Sequence, residues 1–281
     1  MKKKVAILSI SALILTACGS DRSSTKIAKF ETKEKLGESL FFDQNLSLTR
    51  KTSCATCHDP KHGFVDARFS EEGRDQSIFV NGALSVGDDG VSLGGRNAPT
   101  AAYAMFSPKF DPTELKGGQF HDGRAATLKD QAMGPPMDGA EMMMPTRESV
   151  IERIQENPDY VTAFKTLYGE TIFEDINASY KAMGEAIGKF EKTEEFAPFD
   201  SKYDRYINCK KELTTNECIE KIGWTNSEDN GMALFFSNAN TNCALCHTIN
   251  SKSEAEEKEL FTNYEYENIG VPRNILVMNA R

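Results

Sequence analysis

The sequence predicts a mainly α-helical protein with long loops, little β structure and two related units. Apolar residues recur at helical spacing in several segments, and no long alternation typical of strands occurs. A compound pattern also occurs twice: Leu-Phe-Phe at 40–42 and 234–236, each followed by Cys-x-x-Cys-His at 54–58 and 243–247. With 281 residues and 39% hydrophobic content, the chain can form one large domain or two ordinary ones. Two units descended from one ancestor are the simplest explanation.

The N-terminal stretch is predicted to lie outside the fold. Lysines at 2–4 precede an apolar run that is too short to span a bilayer comfortably, which is typical of an export signal. The following LTACG resembles a bacterial lipoprotein cleavage site, so we expect 1–17 to be a signal peptide and Cys18 to be lipidated. Residues 18–29 would then tether a periplasmic protein to a membrane, and Gly19 favours the outer membrane. Cleavage as an ordinary secretory peptide is the alternative.

Helical periodicity and end signals define the predicted elements. The segment 61–95 is rich in Gly, Asp and Ser and is predicted to be a long loop around the first motif. A charged run at 191–195 indicates a junction between a unit at 30–192 and a unit at 193–281. Single helices are predicted at 31–42, 125–133, 176–192 and 226–237. Residues 146–168 are predicted to form two helices, the second of which begins at Pro158.

Each Cys-x-x-Cys-His motif is the attachment signature of a c-type haem. Two thiols one helical turn apart can reach the two vinyl groups on one porphyrin edge, and the adjacent histidine can bind the iron. Zinc or a redox dithiol is the alternative for one isolated motif. A zinc site would need further ligands, yet His62 and His121 are the only histidines outside the motifs. A redox dithiol would not need a histidine directly after its second cysteine. The predicted attachment residues are Cys54, Cys57, Cys243 and Cys246, and the predicted iron ligands are His58 and His247.

Cysteine use and charge limit the compartment and the partners. Cys209 and Cys218 remain after lipid and haem attachment, and in an exported protein they are predicted to form a local disulfide. Two unpaired thiols are the alternative. The net charge of −9 argues against nucleic-acid binding and is compatible with a basic electron donor.

From about Lys35 to Arg273 the chain resembles the bacterial dihaem cytochrome c peroxidases, including the related methylamine-utilisation enzymes that oxidise protein tryptophans. The resemblance implies two helical haem domains that face each other. The N-terminal haem would react with hydrogen peroxide, and the C-terminal haem would accept electrons from a small donor, a cytochrome c or a cupredoxin. The matching stretches are LGESLFFDQNLS at 36–47, GRNAPT at 95–100, FHDGRAATLKDQAMGP at 120–135, Glu-Met at 141–142 and NIGVP at 268–272.

The resemblance also assigns roles to individual residues. Glu141 matches the catalytic glutamate, and a carboxylate over an open haem can move a proton between the peroxide oxygens. Gln131 matches the glutamine that lines the same pocket. Asn97 matches a residue that helps to hold a calcium ion between the domains. By themselves, the residues indicate only a solvated loop carboxylate at Glu141 and an ordinary helix-face residue at Gln131, and one oxygen ligand does not define a calcium site.

The chain departs from the family pattern in three places. The loop at 69–95 lacks the histidine that closes the first iron in many relatives, so we expect the oxidised protein to react with peroxide without prior reduction. His121 stands where relatives carry a tryptophan between the haems, and we expect it in the electron or proton path rather than on iron. Relatives continue past the segment at 268–272, so the chain is expected to be incomplete, and Met278 is not favoured as a ligand of the second haem.

The leading functional hypothesis is a peroxidase that reduces hydrogen peroxide to water. The first alternative is a dihaem oxidase that modifies an aromatic residue of a partner protein. The second is a dihaem electron carrier, which would keep both irons six-coordinate and would not need Glu141 or Gln131. The sequence leaves a homodimer open.

Overall fold

The computed structural model describes residues 29–68, 84–249, 259–270 and 272. Within these ranges the chain is mainly helical, as predicted, and its β pairing is restricted to isolated bridges. The helices are α1 (Lys33–Phe41), α2 (Cys54–Cys57), α3 (Leu128–Ala132), α4 (Arg147–Gln155), α5 (Pro158–Tyr168), α6 (Ile176–Phe190), α7 (Lys202–Cys209), α8 (Thr215–Ile222) and α9 (Asn226–Phe235).

The predicted helices are present, and their ends follow local capping. The Thr146 side chain accepts a hydrogen bond from the Ser149 N–H at the start of α4, and Pro158 opens α5. The helix predicted at 125–133 is shorter than expected. Thr127 caps α3 instead, and Ala125 is held outside the helix because its carbonyl accepts from the Gln119 N–H at 2.8 Å.

Two helices were not predicted. Residues 202–209 and 215–222 form α7 and α8, in a polar region where the sequence predicts only a local disulfide. Each begins with a capping box, Ser201 with Asp204 and Thr214 with Glu217. These two pairs were the available sequence signal, and the polar composition of the stretch obscured it.

The main hydrophobic core surrounds α6. α1 runs along α6, and α3, α4 and α5 pack around the same helix. Gly37 on α1 permits this contact, because a Cβ there would lie 1.9 Å from the Ala186 carbonyl oxygen. The core continues past the predicted domain junction, since Phe196 is fully buried and stacks on Phe64 with ring centroids 4.2 Å apart. Phe196, which lies beyond the predicted junction, therefore packs into the core of the first unit.

A second, smaller cluster lies in the C-terminal part. Tyr206 and Trp224 stack in parallel with ring centroids 4.4 Å apart, and Cys218 is buried beside them. Cys209 on α7 and Cys218 on α8 form a disulfide with a Cα–Cα distance of 5.7 Å. The two parts meet where the Gly117 N–H donates to the Tyr264 carbonyl at 2.8 Å.

Several predictions concern residues outside the described ranges. The signal peptide at 1–17, Cys18 and nearly all of the tether lie outside them, as do Met278 and positions 69–83 of the loop without histidine. The described part of the chain contains no helix that is long and apolar enough to cross a membrane.

Candidate active site

The first Cys-x-x-Cys-His motif is built on the short helix α2. Thr56 fixes its first turn by accepting a hydrogen bond from the Ser53 N–H at 2.9 Å. Cys54 and Cys57 therefore lie one turn apart, facing the interior. Burial raises the pKa of both thiols, that of Cys57 to about 11, so both are neutral at physiological pH.

The histidine of the first motif is oriented by a backbone carbonyl. His58 Nδ1–H donates to the Phe64 carbonyl at 3.0 Å, which leaves Nε2 as the nitrogen that can bind iron. Burial lowers the pKa of His58, which favours the neutral imidazole that a metal requires. Phe64 has a φ of +58°, an unusual value for a bulky residue.

The second motif uses the same arrangement. Cys243–Leu245 form a single helical turn, and His247 Nδ1–H donates to the Phe261 carbonyl at 3.0 Å. Phe261 also has a positive φ, +54°. Sequence analysis missed both carbonyls, and no spacing rule could have found them, because Phe64 follows its histidine by 6 residues and Phe261 follows by 14.

A small cavity of about 40 Å³ adjoins the first motif. It is lined by both motif cysteines and His58, and also by Gln131 and Glu141. A larger space of about 700 Å³ shares Cys57, His58, Gln131 and Glu141 with it. Two thiols and an imidazole beside such a space fit the donor set of a covalently attached haem. The structure thus brings the two predicted catalytic residues to the first motif.

Glu141 is positioned by the turns on either side of it. Its N–H donates to the Asp138 carbonyl at 3.1 Å, and its own carbonyl accepts from the Asp88 N–H at 2.8 Å. Burial raises the pKa of Glu141 to about 7, the nearby Asp138 charge adds to this effect, and Arg124 opposes it. A carboxyl with this pKa can both accept and release a proton near neutral pH.

Gln131 reaches the same cavity from α3. This helix lies directly against α6 because α6 carries glycines at the contact. A Cβ on Gly184 would lie 2.9 Å from the Lys129 carbonyl oxygen. Tyr180 on α6 also donates from its hydroxyl to the Met133 carbonyl at the end of α3, at 2.8 Å. The position of Gln131 therefore depends on the close α3–α6 contact.

His121 and Asn97 lie together on the exposed side of the larger space. His121 Nε2–H donates to the backbone carbonyl of Asn97 at 2.9 Å. Within the described ranges, no three His, Cys, Asp or Glu side chains are grouped to hold a metal ion. The calcium site at Asn97 stays a prediction.

Comparison with known proteins identifies the family. Residues 31–212 match the family model described as di-haem cytochrome c peroxidase. The chain belongs to this family. Its membership confirms the resemblance found in the sequence, and it implies two haems and an oxidoreductase.

Individual relatives include both peroxidases and MauG proteins. The chain is 39% identical over 274 residues to the methylamine utilization protein MauG of Paracoccus denitrificans, which covers 96% of this chain and 64% of that protein. It is 32% identical over 215 residues to the cytochrome c peroxidase Ccp of Escherichia coli, covering 76% and 37%. The diheme peroxidase BthA of Burkholderia thailandensis has a similar structure, with a TM-score of 0.72 and 31% identity, covering 87% of this chain and 55% of that one. The chain thus spans less than two thirds of each of these proteins.

Proposed function

We propose that the protein is a dihaem c-type peroxidase that reduces hydrogen peroxide to two waters, with two protons and two electrons from a small donor such as cytochrome c or a cupredoxin. The observation that carries this proposal is the presence of Glu141 and Gln131 in the cavity beside His58. An electron carrier has no use for a proton-carrying carboxyl at that position. The similarity to a cytochrome c peroxidase of Escherichia coli supports the same function.

Glu141 and Gln131 have distinct roles in this proposal. A haem held by Cys54, Cys57 and His58 would supply the iron that binds and reduces peroxide. Glu141 would accept a proton from one peroxide oxygen and return it to the oxygen that leaves as water. The Gln131 amide donates a hydrogen bond that orients the peroxide.

Electron supply is assigned to the second motif. A haem held by Cys243, Cys246 and His247 would accept electrons from the donor and pass them towards the first unit. His121 lines the larger space, and its hydrogen bond to Asn97 supports a role in a hydrogen-bonded path rather than as an iron ligand. We retain the division into a peroxidatic domain at 30–192 and an electron-transfer domain at 193–281 as part of this proposal.

A partner-modifying oxidase is the second candidate. The 39% identity to MauG of Paracoccus denitrificans extends over 96% of this chain and exceeds the identity to the peroxidase of Escherichia coli. In such an enzyme the same cavity would still react with peroxide, but the electrons would come from an aromatic residue of a protein substrate.

We further propose that the protein is exported and held at the outer membrane by lipid on Cys18. The leader at 1–17 supports this location. The disulfide between Cys209 and Cys218 is compatible with an oxidising compartment. The acidic chain would favour a basic donor protein.

Steady-state turnover of the dihaem protein tests the proposal. With reduced cytochrome c or a reduced cupredoxin as donor, we expect two donor molecules to be oxidised for each peroxide consumed. The oxidase would be indicated instead if peroxide were consumed only in the presence of a protein substrate and an aromatic residue of that substrate changed in mass. An electron carrier would show two low-spin haems and no peroxide turnover.

A further inference from the structure

A second carboxyl lines the first haem cavity and has no role in the proposed function. Glu191 directly follows α6, and it contributes to the wall of the small cavity that Cys54 and Glu141 also line. Only 5% of its surface is exposed. Sequence analysis placed Glu191 in the charged junction at 191–195, where a solvated side chain was the natural expectation. The structure instead directs this residue into the protein.

Among the described residues, Glu191 differs from the buried acids Asp66 and Asp88 in having a buried carboxylate oxygen without a hydrogen-bond partner. Asp66 forms an ion pair with Arg68, and Asp88 accepts hydrogen bonds from Ser47 and Thr49. Among the described residues, no group hydrogen-bonds Glu191 Oε2, and no Lys or Arg lines the cavity. An ionised carboxylate without compensation is costly in such a place. Burial accordingly raises the pKa of Glu191 to about 8.

Few other titratable groups face this cavity. The helix α2 contributes the Cys54 and Cys57 thiols and is followed by His58, α3 contributes only the neutral Gln131, and the turn after it contributes Glu141. Haem attachment converts both thiols to thioethers and engages the histidine with iron. Among the protein side chains that line the cavity, the two carboxyls are then the groups left to titrate.

Glu191 is also close enough to the attachment point to interact with it electrostatically. Burial and, next in size, the charge of Glu191 raise the pKa of the Cys54 thiol. Because the intervening protein has a low dielectric constant, the charge of a haem bound at that sulfur would also interact with the charge of Glu191.

We propose that Glu191 is a redox-linked proton site of the first haem. Adding one electron to that haem removes one positive charge beside a buried carboxylate, so the carboxylate binds one proton and an O–H bond forms on Glu191. When the haem is oxidised, that bond breaks and the proton passes into the cavity that Glu141 lines. The electron comes from the donor protein and the proton from solvent. The redox linkage requires only haem attachment at Cys54 and Cys57, whereas the use of the proton in peroxide reduction rests on the proposed function.

The test is a redox titration of the dihaem protein without peroxide, resolved for the two haems, from about pH 6 to about pH 9. We expect the potential of the first haem to fall as pH rises. One proton per electron corresponds to about 59 mV for each tenfold change in proton concentration. Glu191→Gln should remove most of this slope, because the amide keeps the size and cannot titrate. Glu191→Asp keeps a carboxyl and should restore the slope.

A matched variant completes the design. Glu195→Gln removes an exposed carboxylate four positions along the chain and should leave the slope as in the wild type. A full slope in Glu191→Gln, or loss of the slope in Glu195→Gln, would overturn the assignment. Since no peroxide is present, neither result depends on whether the protein is a peroxidase.

Discussion

In the first unit, Leu40 and Phe41 of the Leu-Phe-Phe pattern are fully buried, whereas in the second unit Leu234 at the matching position is 50% exposed. The helices that carry the two patterns differ in the same way. α1 lies against α6, and α9 has no buried residue in the described part of the chain. A repeated local pattern therefore does not imply repeated packing. The burial of each copy depends on which remote helices reach it.

The two histidines differ much less than their surroundings. His58 and His247 each donate from Nδ1 to a phenylalanine carbonyl at 3.0 Å, and both phenylalanines have positive φ. His58 is nevertheless partly buried, while His247 is exposed. Among the described residues, ligand orientation is thus shared, but the two histidines differ in their access to solvent.

The largest expected effect on peroxide turnover comes from replacing each of the two predicted iron ligands, and the two replacements should differ in their result. His58→Gly should reduce peroxide turnover to background, because the first haem loses its iron ligand, while the second haem still exchanges electrons with the donor. His247→Gly should leave one reaction with peroxide but prevent sustained turnover. Single-turnover and steady-state assays together distinguish these outcomes. If the two phenotypes were exchanged, the roles given to the haems would be reversed.

Glu141→Gln should lower kcat/KM for peroxide by about 10²–10⁴-fold, the usual contribution of general acid–base catalysis. Since the pKa of Glu141 is about 7 and the ionised form is the base, wild-type kcat/KM should rise with pH through about 7. The variant should lose this rising limb. Glu148→Gln, an exposed residue of α4, is the matched control and should keep both rate and profile. An unchanged profile in Glu141→Gln would remove Glu141 from the mechanism.

Leucine truncation tests the packing difference directly. Leu40→Ala should lower the free energy of unfolding by about 2–5 kcal/mol, because it leaves a cavity in a closely packed core. Leu234→Ala should change it by about 0.5 kcal/mol or less, as is typical of exposed sites. Chemical denaturation of the two variants provides the measurement. Equal losses would show that α9 packs in the protein as closely as α1 does.

The last test concerns the disulfide of the second unit. Replacing Cys209 and Cys218 together by serine should lower the stability of this unit by about 2–3 kcal/mol, since a short closed loop is released in the unfolded chain. Hydrogen exchange should increase in α7 and α8 and remain unchanged in α6. Increased exchange in α6 would show that the two units unfold together.

Local sequence was sufficient for much of the fold. Thr146 and Pro158 define α4 and α5 because capping and proline act within one turn. The capping boxes at Ser201 and Thr214 could have revealed α7 and α8 by the same rule.

The sequence by itself determined where a haem is predicted to attach, because the two thiols and the histidine of each motif are adjacent in the chain. Tertiary structure decided which polar groups lie beside the first motif. Glu141 and Glu191 both have the sequence signature of solvated carboxylates, and only the packing of α2, α3 and α6 encloses them in one cavity. The Phe64 and Phe261 carbonyls are likewise invisible in the sequence, because every residue has a carbonyl and its direction depends on the backbone fold. Burial and orientation are set by residues far apart in the chain, so local patterns do not encode them.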